Sequence, residues 1–342
     1  MEPLTNRQKK ILSLIIHEHI ATAEPVGSSR LVKKFSVDLS SATVRNEMAA
    51  LTEAGLLRQP HTSAGRVPTE EGYRYFVRQL MHETSLPPTI RATINHQFSQ
   101  MNSDMKKWMR LAASVLAHHT NSASIITAPQ ASHPVFKHLE LIATHGCQVL
   151  GILVIEGGEI HQQIFQMEEP ISQEDLSVMA GKFGQIFSRK NVKDTLAFQP
   201  PLSVSEEKIF YWVSREMARN GQILTGEIIL NGLTNVLAEP EFSDSEEARR
   251  TLKMLEERSL LQELLAETIL PEAIGGVQVL IGGEGNWDDL RQCSVILSKY
   301  GIPGLASGML GILGPVRMSY GYSISLVRHL SGLLSDFVNE QW

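Results

Sequence analysis

The sequence predicts an α+β protein that is divided into several domains. Its 342 residues exceed the roughly 100–200 residues of one typical domain, and an apolar fraction of 42% can fill more than one core. Residues 1–80 have the pattern of short capped helices, whereas strand-rich segments begin near Pro134 and return in the last third of the chain. We therefore expect a helical N-terminal domain followed by a body of sheet and helix.

Composition argues against several classes of protein. No run of about 18 apolar residues is present, so no transmembrane span is expected. The start, "MEPLTNRQKK", lacks an apolar signal segment. Cys147 and Cys293 form no CxxC pair and are predicted to be reduced, buried thiols. We expect a cytoplasmic protein without a membrane partner.

Charge is distributed unevenly along the chain. Residues 1–82 carry 11 Lys and Arg against 8 Asp and Glu, whereas the remainder carries 20 against 29. A mildly basic N-terminal segment on an acidic body is consistent with nucleic-acid binding by that segment alone.

The N-terminal segment begins with two predicted helices. Thr5 is placed to cap a first helix that runs to about His19. After a Pro- and Gly-containing break, Ser28 or Ser29 is placed to cap a short second helix, "RLVKKF". The charged residues of this second helix are Arg30, Lys33 and Lys34.

A third helix follows within "SSATVRNEMAALTEAGLL". Ser40 or Ser41 is its predicted cap, and Gly55 is placed to end it. Its apolar residues follow the spacing i, i+4, i+7, which predicts a buried face made of Val44, Met48 and Leu51.

The opposite face of the third helix carries small and amide side chains. Ala42, Asn46 and Ala49 lie opposite the apolar residues, and Arg45 lies on the flank. Small side chains permit close approach to a surface, while Asn can bond adenine and Arg can bond guanine through two atoms. This composition predicts a helix in the major groove of DNA, although such helices also occur in small domains that bind no DNA.

A β-wing is predicted in "LLRQPHTSAGRVPT", where two short extended runs surround a Ser-Ala-Gly tip. Thr69 then caps a return helix, which completes a winged helix-turn-helix domain. Hydroxyl groups near a helix N-terminus suit phosphate oxygens. The residues predicted to contact DNA are Ser28, Arg30, Lys33, Lys34, Ser40, Ser41, Thr43, Arg45, Asn46, His61 and Arg66.

Three strings in order, "PVGSSRLVKKF", "SSATVRNEMAALTEAGLL" and "HTSAGRVPTEEGYRYFV", resemble the heat-inducible transcription repressor HrcA family. The C-terminal "GPVRMSYGYSISLVRHLSGLL" resembles it too. The resemblance implies a repressor of groE- and dnaK-type chaperone operons that binds an inverted-repeat operator as a homodimer and loses activity on heat shock. It also implies modulation by the GroEL chaperonin, and a GAF-like domain interrupted by a dimerisation insert.

The resemblance places four parts along the chain. We expect a winged helix-turn-helix domain at 1–82 and, at 83–169, a linker helix with the first part of a GAF-like domain. The inserted dimerisation domain is expected at 170–262 and the second part of the GAF-like domain at 263–342.

Periodicity adds detail to the body. After the Pro87–Pro88 linker, seven residues between Ile94 and Val115 alternate steps of three and four along one long predicted helix. This seam is either a dimer contact or the inner face of the helix on its own core. Further predictions are a hairpin around Gly157–Gly158, helices near 173–187 and 205–220, an acid-rich helix capped by Ser243 or Ser245, and a last helix from about Tyr320 to Val338.

No constellation for catalysis is visible, so an enzyme is not expected. "IGGEGN" at 281–286 lacks the spacing of a phosphate-binding loop and is interpreted as a tight turn. The histidine pairs have no partners at metal-ligand spacing, so no metal and no cofactor is predicted. The alternative to a heat-controlled repressor is a metabolite-sensing regulator with its ligand in the GAF-like domain.

Overall fold

The N-terminal segment, residues 5–81, folds in the computed structural model as three helices, a two-stranded ribbon and a return helix. Its elements are α1 (Asn6–Thr22), α2 (Ser28–Phe35), α3 (Ser41–Glu53), β1 (Leu57–Arg58), β2 (Val67–Pro68), and α4 (Glu70–Tyr75) with a π-helical continuation (Phe76–Leu80). The structure describes residues 3–36, 38–62, 64–81, 84–101, 104–131, 136–155, 160–187, 202–220, 227–242, 257, 261, 265, 274–284, 290–303 and 305–341. The predicted Gly157–Gly158 turn and the cap at Ser243 or Ser245 lie outside these residues.

Most of the predicted caps are present. Thr5 and Gln8 form a capping box at α1, and Ser40 Oγ accepts the backbone N–H of Thr43 (3.1 Å) at α3. The cap of α2 differs from the prediction, because Gly27 occupies the cap position and Ser28 is already helical. Gly55 follows α3 with φ +76°, the left-handed conformation that glycine adopts without strain.

The predicted long helix after the Pro-Pro linker is two helices, α5 (Pro88–Ser99) and α6 (Met105–Thr120). Asp104 separates them, because its carboxylate accepts the N–H of Lys106 (3.0 Å) and starts a new helix. The seam residues pack on the protein's own core, with Ile94 and Ala112 fully buried. Of the two alternatives for the seam, the structure therefore shows an inner face that packs on the protein's own core.

A six-stranded antiparallel sheet forms the centre of the body. Its strands are β3 (Ala123–Thr127), β4 (Gln130–Ala131), β8 (Ile228–Asn231), β9 (Val277–Ile281), β10 (Cys293–Ile302) and β11 (Ala306–Pro315), and the order is β8-β3-β11-β10-β9 with β4 beside the start of β11. Alternating side chains fill two cores. One is shared with α5, α6 and α10 (Tyr320–Gln341), and the other with α9 (Leu233–Leu237).

A second sheet of three antiparallel strands has its own core. It contains β5 (Phe136–Ala143), β6 (Gln148–Ile155) and β7 (Ile160–Gln166), and α7 (Gln173–Phe187) and α8 (Val204–Asn220) cover one face. We call these five elements the three-stranded unit. The chain leaves the large sheet after β4, which ends at Ala131, and rejoins it at β8, which begins at Ile228. The predicted limits of the insert, 170 and 262, differ from these two points. Strand periodicity identified the β6–β7 hairpin without revealing which sheet it joins.

The two cysteines are both free thiols, but only Cys293 is buried. Cys147 is partly exposed in the turn before β6, which corrects the prediction for that residue. Among the described helices, none has the length and apolar character that crossing a bilayer requires.

Candidate nucleic-acid interface

A groove opens between α2, α3 and the β1–β2 ribbon (residues 57–68). Its volume is about 550 Å3. The start of α2 contributes Ser28 and Ser29, and the ribbon contributes Gln59, Thr62 and Arg66. From α3 the groove receives Ser41, Ala42 and Arg45. The groove therefore joins the outer face of α3 to the tip of the ribbon.

The predicted orientation of α3 is confirmed. Val44 and Leu51 are at most 1% exposed, and both pack in the core with α1. Ala42, Arg45 and Asn46 are exposed on the opposite side. Two adjacent polar side chains, a guanidinium and an amide, are thus exposed beside the small side chain of Ala42.

The hydroxyl groups at the start of α3 are used in different ways. Ser40 Oγ lies 2.9 Å from Thr43 Oγ1 and caps the helix, so both hydroxyls already have a protein partner. Ser41 is exposed and lines the groove. Of these three predicted contacts, Ser41 is the one whose side chain points to the groove without serving as a cap.

Two of the three basic residues of α2 are held by an acid of α1. Arg30 Nε lies 2.8 Å and Lys34 Nζ 2.6 Å from the carboxylate of Glu18, which is 1% exposed. The bond from Lys34 lowers the pKa of Glu18 against the opposing effect of burial. Arg30 also pairs with Glu24 (2.8 Å). Sequence reasoning missed Glu18, because its helix position alone does not show that α2 packs across it.

Lys33 differs from its two basic neighbours. It is exposed and forms no ion pair within the described part of the chain. The three α2 cations therefore differ: Lys33 has no ion-pair partner among the described residues, whereas Arg30 and Lys34 are paired with Glu18 although their side chains are 42% and 50% exposed. That all three contact DNA stays a prediction.

Arg66 connects the ribbon to α3. Its backbone pairs with Val26 through bonds of 2.8 and 2.9 Å, which adds one residue pair to the ribbon. Its side chain is half-buried, and Nε donates to Thr52 Oγ1 (3.0 Å). The predicted phosphate contact is therefore a side chain already bonded to α3, although it still lines the groove.

The tip of the ribbon is shaped by Gln59. Its side-chain amide donates to the backbone carbonyls of Thr62 (2.9 Å) and Ala64 (3.1 Å). His61 is exposed at this tip, as a contact to DNA requires. Gln59 was not among the predicted site residues.

Gly65→Ala is expected to displace the ribbon from α2. A methyl group at this position would lie 2.4 Å from the backbone carbonyl of Val26, which has no room to retreat without breaking the Val26–Arg66 pair. We expect a loss of about 1–3 kcal/mol in the free energy of unfolding, measured by urea denaturation. Gly181→Ala is the control, because its methyl meets nothing within 4 Å. Equal stabilities of the two variants would contradict this role of Gly65.

The N-terminal segment is attached to the body by charged and aromatic contacts. Arg74 donates to the backbone carbonyl of Ile281 (2.8 Å), and Arg78 pairs with Glu284 (2.7 Å). The rings of Tyr73 and Tyr320 pack with centroids 6.1 Å apart. The "IGGEGN" segment thus begins as the predicted tight turn, and it serves as a docking point for α4.

A polar network lies beneath this junction. Arg317 Nε binds Glu241 (2.5 Å), its Nη2 binds Glu239, and its Nη1 donates to the backbone carbonyl of Ile20 (3.5 Å). Tyr73 bonds to His19 Nδ1 (2.7 Å), and burial lowers the pKa of His19 to about 4. His19 is therefore uncharged at neutral pH. None of these junction residues was predicted.

Other chemistry is not apparent in the described ranges. They contain no group of three His, Cys, Asp or Glu side chains with the geometry to hold a metal ion. His118 and His119 pack on each other with ring centroids 5.2 Å apart.

Comparisons of sequence with known proteins identify one family. The family model described as "HrcA protein C terminal domain" matches residues 106–324. A heat-inducible transcription repressor HrcA from Roseiflexus castenholzii is 41% identical, covering 98% of this chain and 95% of its own length. The HrcA repressor of Herpetosiphon aurantiacus is 40% identical, covering 98% and 96%. A crystal structure of a hypothetical protein at 2.2 Å resolution shares the fold, with a TM-score of 0.58, 22% identity and 99% coverage of both chains.

Proposed function

Because this chain belongs to the HrcA family of heat-inducible transcription repressors, which are not enzymes, we propose that residues 5–81 are a winged helix-turn-helix domain that binds operator DNA. The observation that carries the proposal is the exposed side of α3, opposite its buried face. It combines a small side chain at Ala42 with two exposed base-reading groups, Arg45, which lines the groove, and Asn46. The ribbon is the wing, and its tip carries His61.

In this interface the residues have separate tasks. Asn46 and Arg45 reach base edges in the major groove, where amide and guanidinium groups form paired bonds to adenine and guanine. Ser41 binds a backbone phosphate at the positive end of the α3 dipole. Lys33 contributes a charge contact to phosphate that carries no sequence information. Gln59 and Arg66 support the wing in the orientation that this arrangement needs.

The protein binds DNA as a homodimer in this proposal, and the three-stranded unit supplies the contact. One face of its sheet packs on α7 and α8, while no described residue covers the other face. That open face carries six aliphatic side chains and three polar ones: Ile142, Leu150, Ile152, Val154, Ile160 and Ile164, with His138, Glu140 and Gln162. Ile160 and Ile164 are 60% and 64% exposed in the single chain. A second copy of the same face covers these aliphatic side chains with two-fold symmetry, which matches an inverted repeat.

Ile164→Asp is expected to produce monomers. A carboxylate on the open face would be buried against apolar side chains in the dimer, at a cost that the contact cannot recover. Sedimentation should show half the mass of the wild type. Operator affinity should fall about tenfold or more, since one half-site binds without help from the other.

Val178→Asp is the matched control for that change. Val178 is 74% exposed on α7, which covers the opposite face of the sheet. This variant should remain dimeric. A dimeric Ile164→Asp protein would show that the contact lies elsewhere.

The operators that we propose lie ahead of groE- and dnaK-type chaperone operons in the cytoplasm, and repression is lost on heat shock. A folded protein is stabilised by only about 5–15 kcal/mol, so a modest rise in temperature can change the active fraction greatly. The GroEL chaperonin is the proposed modulator that returns unfolded repressor to its active state. The large sheet with α6 and α10 is the proposed GAF-like domain, and the three-stranded unit is its insert.

Among the described residues, we find no feature that favours the metabolite-sensing alternative. A cavity beside the large sheet, lined by Leu280, Leu290 and Cys293, has a volume of about 10 Å3. This is the space of roughly one water molecule. The repressor function therefore stands without a proposed ligand.

Footprinting of the DNA upstream of a groE operon tests the proposed function. We expect the folded protein to protect two symmetric half-sites that face the same side of the duplex. Protection of a single half-site would contradict the dimeric arrangement, and no protection at any upstream chaperone region would contradict the proposed targets.

A further inference from the structure

Glu18 is a buried acid that DNA recognition by α3 does not use. It lies on α1, is 1% exposed, and pairs with Arg30 and Lys34 of α2 at 2.8 and 2.6 Å, while these two side chains stay 42% and 50% exposed. Glu24 adds a second carboxylate to Arg30 at 2.8 Å. These two acids and two bases together carry no net charge.

The burial of Glu18 makes this pairing hard to exchange. A carboxylate out of contact with water is stable only when its charge is compensated by close cations. If Arg30 or Lys34 turned to a DNA phosphate, part of that compensation would be lost. Water could replace a lost cation at an exposed carboxylate, but it cannot reach the buried carboxylate of Glu18.

Helix geometry separates these two cations from the groove. Arg30 and Lys34 are four residues apart and therefore share one face of α2, which faces α1. Ser29 and Lys33 are also four residues apart and share the neighbouring face, and Ser29 lines the groove. The face that carries Lys33 is thus the one that continues the DNA-facing surface.

We propose that Glu18 is a positioning residue that withholds Arg30 and Lys34 from DNA, so that α2 presents a single phosphate-binding charge, Lys33. The inference rests on the proposed DNA-binding function of residues 5–81. It limits sequence-independent attraction of the repressor to bulk DNA while keeping α2 anchored to α1.

Salt dependence of binding to a mixed-sequence 30-base-pair duplex tests this division. Each cation that contacts a phosphate steepens the plot of log K against log salt by about 0.9. Lys33→Ala should flatten this slope by about that amount and leave the melting temperature unchanged. Arg30→Ala and Lys34→Ala remove the same charge, yet they should leave the slope unchanged and lower the melting temperature.

Glu18→Gln gives the reverse measurement. Freed from the acid, Arg30 and Lys34 become available to phosphate, and the slope should steepen by about 0.9 for each cation that makes contact. Glu24→Gln is the matched control, because it changes net charge equally while the pairing with Glu18 persists. We expect the slope of Glu24→Gln to stay near that of the wild type.

The outcomes distinguish a failure of the proposed role of Glu18 in holding Arg30 and Lys34, which we call the Glu18 clamp, from a failure of the DNA-binding function. Slopes flattened by Arg30→Ala or Lys34→Ala as much as by Lys33→Ala would overturn the clamp. Equal slopes for Glu18→Gln and Glu24→Gln would overturn it too. If Glu18→Gln does not fold, the two alanine variants still decide, since each leaves one cation on the acid. A wild-type protein that binds no duplex at all would instead overturn the proposed function.

Discussion

Asn46→Ala is expected to lose about 1–3 kcal/mol of specific operator binding, which is roughly a 5- to 150-fold weaker affinity. The amide is exposed on the side of α3 opposite its buried face, next to Arg45. Its removal leaves a base edge without a partner, whereas contacts to phosphate persist. The same loss is expected for Arg45→Ala at a different base pair.

Competition between operator and mixed-sequence duplex measures this effect. The ratio of the two affinities should fall for Asn46→Ala, while binding to mixed sequence is unchanged. Lys33→Ala is the control, since a lost phosphate contact weakens both duplexes alike. An unchanged ratio in Asn46→Ala would mean that α3 is oriented differently from the proposal.

Arg317→Ala is expected to destabilise the junction between the N-terminal segment and the body. The arginine side chain is 13% exposed and bonds to Glu239 and Glu241, which are 16% and 27% exposed. Without it, two neighbouring carboxylates remain half-buried and unneutralised. We expect the free energy of unfolding to fall by about 2–4 kcal/mol. The loss is smaller than for a fully buried pair because water reaches both acids.

Thermal unfolding followed by circular dichroism measures this loss. Lys107→Ala is the control, because Lys107 and its partner Asp104 are about half-exposed and 3.8 Å apart, so that pair contributes little. Glu239→Gln combined with Arg317→Ala should recover part of the loss by removing one of the two acids. An unchanged melting temperature for Arg317→Ala would contradict a stabilising role.

Local features of the N-terminal segment could be predicted because they depend on near neighbours in sequence. The caps at Thr5 and Ser40, the glycine after α3 and the two faces of α3 all follow from spacing within one helix. The predicted cap of α2 at Ser28 or Ser29 was wrong. The cap is Gly27, since a glycine can precede a helix without contributing a side-chain bond.

Features that depend on distant segments could not be predicted. Glu18 and Lys34 meet because two helices cross, and Arg66 reaches Thr52 because the wing folds back on α3. Hydrophobic alternation likewise identifies a strand but not its partner. For that reason the predicted boundary at 170 separates β5 to β7 from α7 and α8, with which they share a core, and the junction around Arg317 was not anticipated.

Selection from random duplexes by the wild type and by Asn46→Ala tests the central claim, that α3 reads operator bases. The wild type should enrich an inverted repeat. Asn46→Ala should enrich the same repeat with its preference lost at one symmetric pair of positions. Identical enriched sequences from both proteins, or no symmetric sequence from the wild type, would contradict this account.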